Sequence, residues 1–382
     1  MLFWTRLLLS VLCVVMALPG VFTFQSIPLW KVTLAVTEYG HRLALLPVIV
    51  ALWNLKHPSV MGRFGLMAGV ASATVLFLPV GLASFEALKL PAAMEARFPG
   101  STEGARGPLS WGALVMGSEP TVVEALDLRV PREAGDLPLL FFPSSSPDPA
   151  PCLVVLHSGG WEHGRPDEFP AWNHYWAGQG FAVVSVGYRL APKWKWPAQR
   201  DDVRDALAWL KGQAGNLGID PERFVLIGRS AGGQIATAAA HSLRDPSIMG
   251  CVSLYAPGDM VFAWQFADPN DVLDSPRLLR QYLGGSADEQ PDLYRSASAT
   301  LIAEVGGPPT LVVHGRRDAL VWYLQSQRLG ARLDQVGVPH YFLSLPWATH
   351  AFDYPFNGPG AQLTRFSIDG FLRSVWKKPD GS

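Results

Sequence analysis

The sequence predicts an α/β fold, with a mostly parallel central sheet covered by helices, preceded by about three transmembrane helices. Three observations carry this expectation. After Thr121, short apolar runs with β-branched residues alternate with helical patterns, as in a sheet buried on both faces. Before Glu86 the chain is strongly apolar with few charges. Between the two regimes, the stretch from Pro99 to Pro108 contains Gly and Pro in the manner of a linker. The 382-residue chain therefore divides into a membrane-anchoring helical region at 1–90, a linker at 91–120 and a second domain at 121–382.

In the first region, no charged residue occurs from Leu7 to Trp30 or from Phe64 to Phe85. Each stretch is long enough for a span, which needs about 20 apolar residues. A middle segment, Leu43–Leu55, is short unless it extends back to Val32, and it then includes Glu38 and Arg42. These lie four residues apart, so a helix would let them pair. A cleaved leader competes for the first stretch, but Pro19 sits poorly where a small-residue cleavage site belongs. A buried helical cap is the alternative to a membrane anchor, and it lacks the polar outer face such helices need. Arg6, Lys56, His57 and Arg63 flank the spans. Positive charge favours the cytoplasmic side, and both basic sites lie there only if the middle segment spans. The expected localisation is the membrane, with the second domain outside the cytoplasm. Gly65 and Gly69 have a spacing that lets two helices approach.

In the second domain, strands are expected at Val122–Val130, Leu137–Phe142, Cys152–Leu156, Phe181–Val186, Phe224–Ile227, Cys251–Leu254, Thr310–Val313 and Tyr341–Leu345. Helices are expected at Ala171–Gln179, Asp201–Gln213, Ala231–Leu243, Tyr323–Val336 and Ala361–Trp376. Alternation of this kind implies a parallel sheet, whose ligand site lies beyond the carboxyl ends of its strands.

The residues with chemistry follow strands. Gly228-Arg229-Ser230-Ala231-Gly232 lies between an apolar strand and an Ala-rich helix, the context of a nucleophile elbow. The turn is so tight that side chains at 228 and 232 would strike backbone. His157-Ser158-Gly159-Gly160-Trp161 follows another strand. Gly159 and Gly160, with Ala231, are the expected backbone donors to an oxyanion. His157 is read as a loop-holding residue, and Trp161 as a substrate-binding or packing residue. Asp318 follows the strand Thr310–Val313 and His350 follows the last strand, so Ser, Asp and His occur in the order this chemistry uses. A serine needs a base to become nucleophilic, hence His350, and a carboxylate fixes the imidazole, hence Asp318. His314 and Asp353 are rivals. His314 reads as a buried structural histidine, and Asp353 comes too soon after His350 to lie on another strand end.

Composition narrows the alternatives. A net charge of -1 without a basic block gives no nucleic-acid surface. The three cysteines form no Cys-x-x-Cys pair, and the histidines show no metal spacing, so no metal or cofactor is expected. Cys13, Cys152 and Cys251 read as small buried residues. A Cys152–Cys251 disulfide stays open.

Together these motifs resemble the esterase/lipase branch of the α/β-hydrolases, the group of hormone-sensitive-lipase-like carboxylesterases and bacterial feruloyl-esterase-like enzymes. Further matches are Tyr188-Arg189-Leu190-Ala191-Pro192, then Pro197-Ala198-Gln199 with Asp201-Asp202, and Tyr294-Arg295-Ser296-Ala297-Ser298. The resemblance covers about Thr121 to Trp376 and implies the α/β-hydrolase fold. It also implies a Ser230–His350–Asp318 triad, a small-molecule ester substrate and an acyl-enzyme intermediate. Two positions depart from the family: Ser158 stands where a glycine is usual, and Arg229 where many members carry Asp. The long segment from Pro257 to Ala303, with Trp264, Phe266, Leu278, Leu279 and Tyr282, implies a lid or pocket wall, or simply a packed insertion. Amide hydrolysis, acyl transfer to another alcohol, and binding without catalysis are the competing functions.

Overall fold

Apolar sequence has few side chains to satisfy backbone groups, so it satisfies them internally as helix. The computed structural model, which describes residues 2–133 and 135–376, has four helices in the first region: α1 (Leu2–Val21), α2 (Ile27–Leu43), α3 (Leu45–Leu55) and α4 (Val60–Arg97). Met1, Ala134 and residues 377–382 fall within the expected domain bounds and lie outside the described residues. α1 and α4 are each long and apolar enough to cross a membrane, and α2 with α3 reaches that length only as a pair bent by 48°. Gly65 and Gly69 bring α4 close to α3. A Cβ there would lie 2.6 Å from Asn54 Nδ2 and 2.7 Å from the Pro47 carbonyl, respectively. Gly20 of α1 faces Val75 of α4. Near the other end of α1, the Arg6 guanidinium lies 5.0 Å from the Trp53 ring centroid.

Glu38 and Arg42 do not pair as their spacing leads one to expect. Glu38 accepts from Trp347 Nε1 at 3.2 Å and from the Gly360 amide at 2.9 Å. Arg42 Nε donates to the Leu114 carbonyl at 2.8 Å, beside His41 Nε2 at 2.9 Å from the same oxygen. The reason is that α2 lies between two distant segments, the second domain at Trp347 and Gly360 and the linker at Leu114, which offer the two side chains separate partners.

After α5 (Trp111–Met116) the chain runs β1 (Leu126–Val130), β2 (Leu137–Phe142), β3 (Ala150–Leu156), α6 (Pro170–Gly178), β4 (Ala182–Val186), α7 (Ala198–Gly212), α8 (Ala214–Leu217), β5 (Ile219–Arg229), α9 (Ala231–Ser242) and β6 (Ile248–Leu254). Four short helices occupy the long segment before the strand that leads to Asp318: α10 (Met260–Gln265), α11 (Ser275–Leu283), α12 (Pro291–Ser296) and α13 (Ala299–Ile302). β7 (Thr310–Gly315), α14 (Leu324–Gln335), β8 (His340–Leu345) and α15 (Pro359–Trp376) follow. The strands form one sheet of order β1-β2-β4-β3-β5-β6-β7-β8. β1 and β2 are antiparallel to their neighbours, and the rest is parallel. β1 begins at Leu126 rather than at Val122, because the Val123 amide turns away to His174 Nδ1 at 3.2 Å.

Alternate residues of the central strands enter two cores. Cys152, Val154 and Leu156 join Phe224 and Leu226 under α7 and α9. Leu153, Val155, Val225, Ile227 and Val313 join the other core with α6 and α15. Ala83, Leu90 and Met94 of α4 belong to this second core. At about 1.5 Å per residue, α4 is roughly 57 Å long, nearly twice a bilayer's hydrocarbon thickness. Its first half packs in the helical bundle, and its second half, running through 91–97, roofs the sheet.

No disulfide joins Cys152 and Cys251: both are free and buried. They lie on β3 and β6, with β5 between them. Two strand spacings, about 9–10 Å, exceed the reach of a disulfide.

Candidate active site

The strand β5 ends at Arg229 and α9 starts at Ala231, leaving Ser230 alone to make the turn. Its φ and ψ are 52° and -120°, a conformation that costs a non-glycine residue about 1–3 kcal/mol. Surrounding backbone holds it there. The Ser230 amide donates to the Leu254 carbonyl at 2.9 Å, and its carbonyl accepts from Gly233 and Gln234 at 2.9 and 3.1 Å. A Cβ at Gly228 would lie 2.1 Å from the Gly232 oxygen, and one at Gly232 would lie 2.3 Å from the Leu156 oxygen. Both positions therefore demand glycine, and Ser230 projects half-buried at the carboxyl end of the sheet.

His350 and Asp318 come together from the ends of β8 and β7. His350 Nδ1 lies 2.7 Å from Asp318 Oδ2, and Asp318 Oδ1 accepts from the Leu320 and Val321 amides at 2.8 and 2.9 Å. Burial alone raises the Asp318 carboxyl. The charge of His350 and the hydrogen bonds from His314 and His350 outweigh burial and hold it well below the usual carboxylate range. His314 shares Oδ2 at 3.1 Å through Nε2, while its Nδ1 meets Ser326 Oγ at 2.7 Å. His314 is thus a fully buried support for the Asp318 carboxylate.

Asp353 has a different duty, which sequence reasoning missed. It is buried with Arg229, whose Nε donates to Oδ2 at 2.6 Å, and its Oδ1 accepts from Tyr255 Oη at 2.6 Å. The Tyr255 ring in turn sits 4.5 Å from the His350 ring. The elbow is therefore tied by an ion pair to the loop that bears His350. Phe169 completes the cage, its ring centroid 4.3 Å from the Arg229 guanidinium. The available signal was Arg229 itself, because a charge at the end of a buried strand requires a counter-charge.

On the loop after β3, Gly159 and Gly160 have φ of 113° and 59°. Ser158, in place of the family glycine, donates Oγ and its amide to Glu168 Oε2 at 2.8 and 3.2 Å. His157 stacks on Tyr188 with ring centroids 3.9 Å apart, and the Tyr188 hydroxyl donates to the His157 carbonyl at 2.9 Å. Burial lowers the His157 imidazole below its ordinary value, consistent with a neutral residue that holds the loop. Arg189 donates Nε and its amide to Asp202, both at 2.7 Å, and Gln199 Nε2 donates to the Arg189 carbonyl at 2.8 Å. The Tyr-Arg-Leu-Ala-Pro and Pro-Ala-Gln motifs are therefore the brace for this loop.

Trp161 is 5% exposed. It stacks on Tyr282 at 4.4 Å, and its Nε1 donates to Gln234 Oε1 at 2.9 Å. It also lines a pocket of about 100 Å³, partly open to solvent, with Phe262, Phe266, Leu278, Val321 and Trp322. Of the expected lid residues, Phe266, Leu278 and Leu279 line this pocket, whereas Tyr282 is fully buried behind Trp161.

The BD-FAE family model matches residues 139–333. The chain is 30% identical over 246 residues to Esterase LipC of Mycobacterium tuberculosis, covering 59% of each protein. It is 39% identical over 260 residues to the ethyl acetate hydrolase of Pseudomonas putida, covering 63% of this chain and 79% of that one. The chain spans 51–59% of the length of the first three curated relatives. An esterase of Pyrobaculum calidifontis has a similar fold, with a TM-score of 0.59 at 22% identity, covering 76% of this chain and 92% of that one.

Proposed function

The chain belongs to the BD-FAE family, and from that premise we propose that it hydrolyses small carboxylic esters through an acyl-enzyme on Ser230. The observation that carries this reading is the His350–Asp318 contact together with a strained serine turn at the end of β5. In this mechanism, Ser230 Oγ attacks the ester carbonyl carbon while His350 Nε2 takes the hydroxyl proton. Asp318 keeps the proton on Nδ1 and stabilises the imidazolium. The amides of Gly159, Gly160 and Ala231 receive the oxyanion, each donor worth about 3 kcal/mol in the transition state. His350 then protonates the departing alcohol, and water repeats the sequence in reverse to release the acid. Trp161 forms part of the substrate pocket. The test is Ser230→Ala, which should reduce hydrolysis of a short-chain aryl ester by roughly 10⁶. Serine-independent turnover, or failure of the wild-type chain to take up a fluorophosphonate label, would refute the reading.

The helical region is proposed as a membrane anchor in which α1, the short α3 and the first half of α4 make three crossings, while α2 lies against the catalytic domain. Three observations support it. α1 and α4 have span length and apolarity. Arg6 lies over Trp53, close in sequence to Lys56, His57 and Arg63, whereas Gly20 faces Val75 at the end nearer the catalytic domain. α5, held to α2 through Leu114, exposes Trp111, Val115 and Met116, side chains suited to a membrane interface. The basic end is therefore remote from the catalytic domain, and the positive-inside preference puts that domain outside the cytoplasm. A reporter fused after Ser382 should be active only if it functions outside the cytoplasm.

A further inference from the structure

The residue beside the acid grips the end of α1. Arg317 Nη1 donates to the Gly20 carbonyl at 2.7 Å, and Nη2 donates to the Pro19 and Phe22 carbonyls at 3.1 and 2.9 Å. The Pro19 and Gly20 carbonyls belong to the last turn of α1 and the Phe22 carbonyl lies just beyond it, so a guanidinium both caps the helix and fixes its position. Trp30, the fourth residue of α2, meets the catalytic base directly: its ring centroid is 6.4 Å from that of His350, inclined at 60°. Trp30 Nε1 is buried without a hydrogen-bond partner among the described residues. The turn between these contacts and the start of α2 expose Phe22, Ile27 and Leu29. On the catalytic domain, Phe266 and Trp322 are also about half exposed at the pocket, with ring centroids 5.3 Å apart. Asp271 is the one ionisable side chain lining that pocket, and its carboxylate is taken up by Ser275 and nearby amides.

We propose that the α1–α2 turn is a wall of the active site, and that Trp30 makes the enzyme selective for esters with a long acyl chain dissolved in the bilayer. The inference rests on the esterase reading and adds the substrate class. Its basis is position: the end of a span-length helix is bonded to the residue next to Asp318, so the reacting atoms sit within a few residues of where α1 leaves the membrane. An apolar chain entering there passes from lipid to an aromatic wall without crossing water, and the unpartnered Trp30 N–H offers a donor to the ester group.

The test uses the full chain in phospholipid vesicles with dodecanoyl and acetyl esters of one alcohol. Trp30→Ala should lower the dodecanoyl-to-acetyl ratio of kcat/KM about tenfold, and Trp30→Phe should hold it within about twofold. A ratio unchanged in Trp30→Ala, including an equal loss on both esters, overturns the proposal, because a structural role would slow both alike. Should Trp30→Ala fail to take up a fluorophosphonate label, Trp30→Leu replaces it with an expected shift of about threefold, judged by the same rule. A wild-type chain with no Ser230-dependent turnover of either ester sinks the esterase reading and this inference together. Serine-dependent turnover with an unchanged ratio sinks the inference alone.

Discussion

Arg229 and Asp353 form one buried pair that ties the Ser230 turn to the loop bearing His350. Their side chains are 1% and 0% exposed, so neither charge has water to turn to. Such a pair adds little to net stability compared with an apolar replacement, but breaking it strands a charge. Asp353→Ala should therefore destabilise the chain by about 3–5 kcal/mol, measured by denaturant unfolding in detergent. The double variant Arg229→Met/Asp353→Leu should recover most of that loss. Activity should stay low in the double variant, because Tyr255 loses its acceptor and the His350 loop its tie to the elbow. Recovered stability with full recovered kcat would show that the pair has no positioning role. Each residue was visible in the sequence: Arg229 as a departure from the family, Asp353 as a rival acid. Their contact was not, because 124 residues separate them and the sheet alone brings them together.

At the scale of elements, α2 and α4 join the N-terminal helices to the sheet domain. Glu38 is fully buried and accepts from Trp347, two residues after the end of β8, and from Gly360 at the start of α15. Glu38→Ala leaves both donors without an acceptor and should cost roughly 2–3 kcal/mol, whereas Glu38→Gln retains an acceptor and should cost less than half as much. A thermal-shift comparison of the two variants decides this, and equal losses would mean that packing, not the hydrogen bonds, holds α2. Sequence periodicity located α4 only up to the point where apolarity ends. The helix continues to Arg97 because Leu90 and Met94 still have a core to enter, one supplied by the sheet and α15.

For the whole molecule, one buried carboxyl sets a pH dependence of stability. Burial pushes Asp369 of α15 up to about 6, against the Tyr175 hydrogen bond and the Arg365 and Arg373 charges. In the unfolded chain the same group titrates near 3.9. The folded state thus binds more protons between these values, and the stabilisation is fully present below about pH 3.9 and lost as pH rises through about 6. Asp369→Asn should remove this component. Between pH 5 and pH 8, the melting temperature of the wild type relative to the variant should fall. A parallel pair of profiles would contradict it.

By itself, the sequence determined the alternation that makes a parallel sheet, the glycines that force the Ser230 turn, the order of Ser230, Asp318 and His350, and the apolar helices before them. Those signals are local: periodicity, backbone sterics and composition act within a few residues. Only the tertiary structure decided that His314 supports Asp318, that Asp353 serves Arg229, that Glu38 and Arg42 part company, and that Trp30 stands against His350. Each is a choice among partners distant in the chain, made by which buried polar or aromatic groups the packed helices and sheet bring within reach.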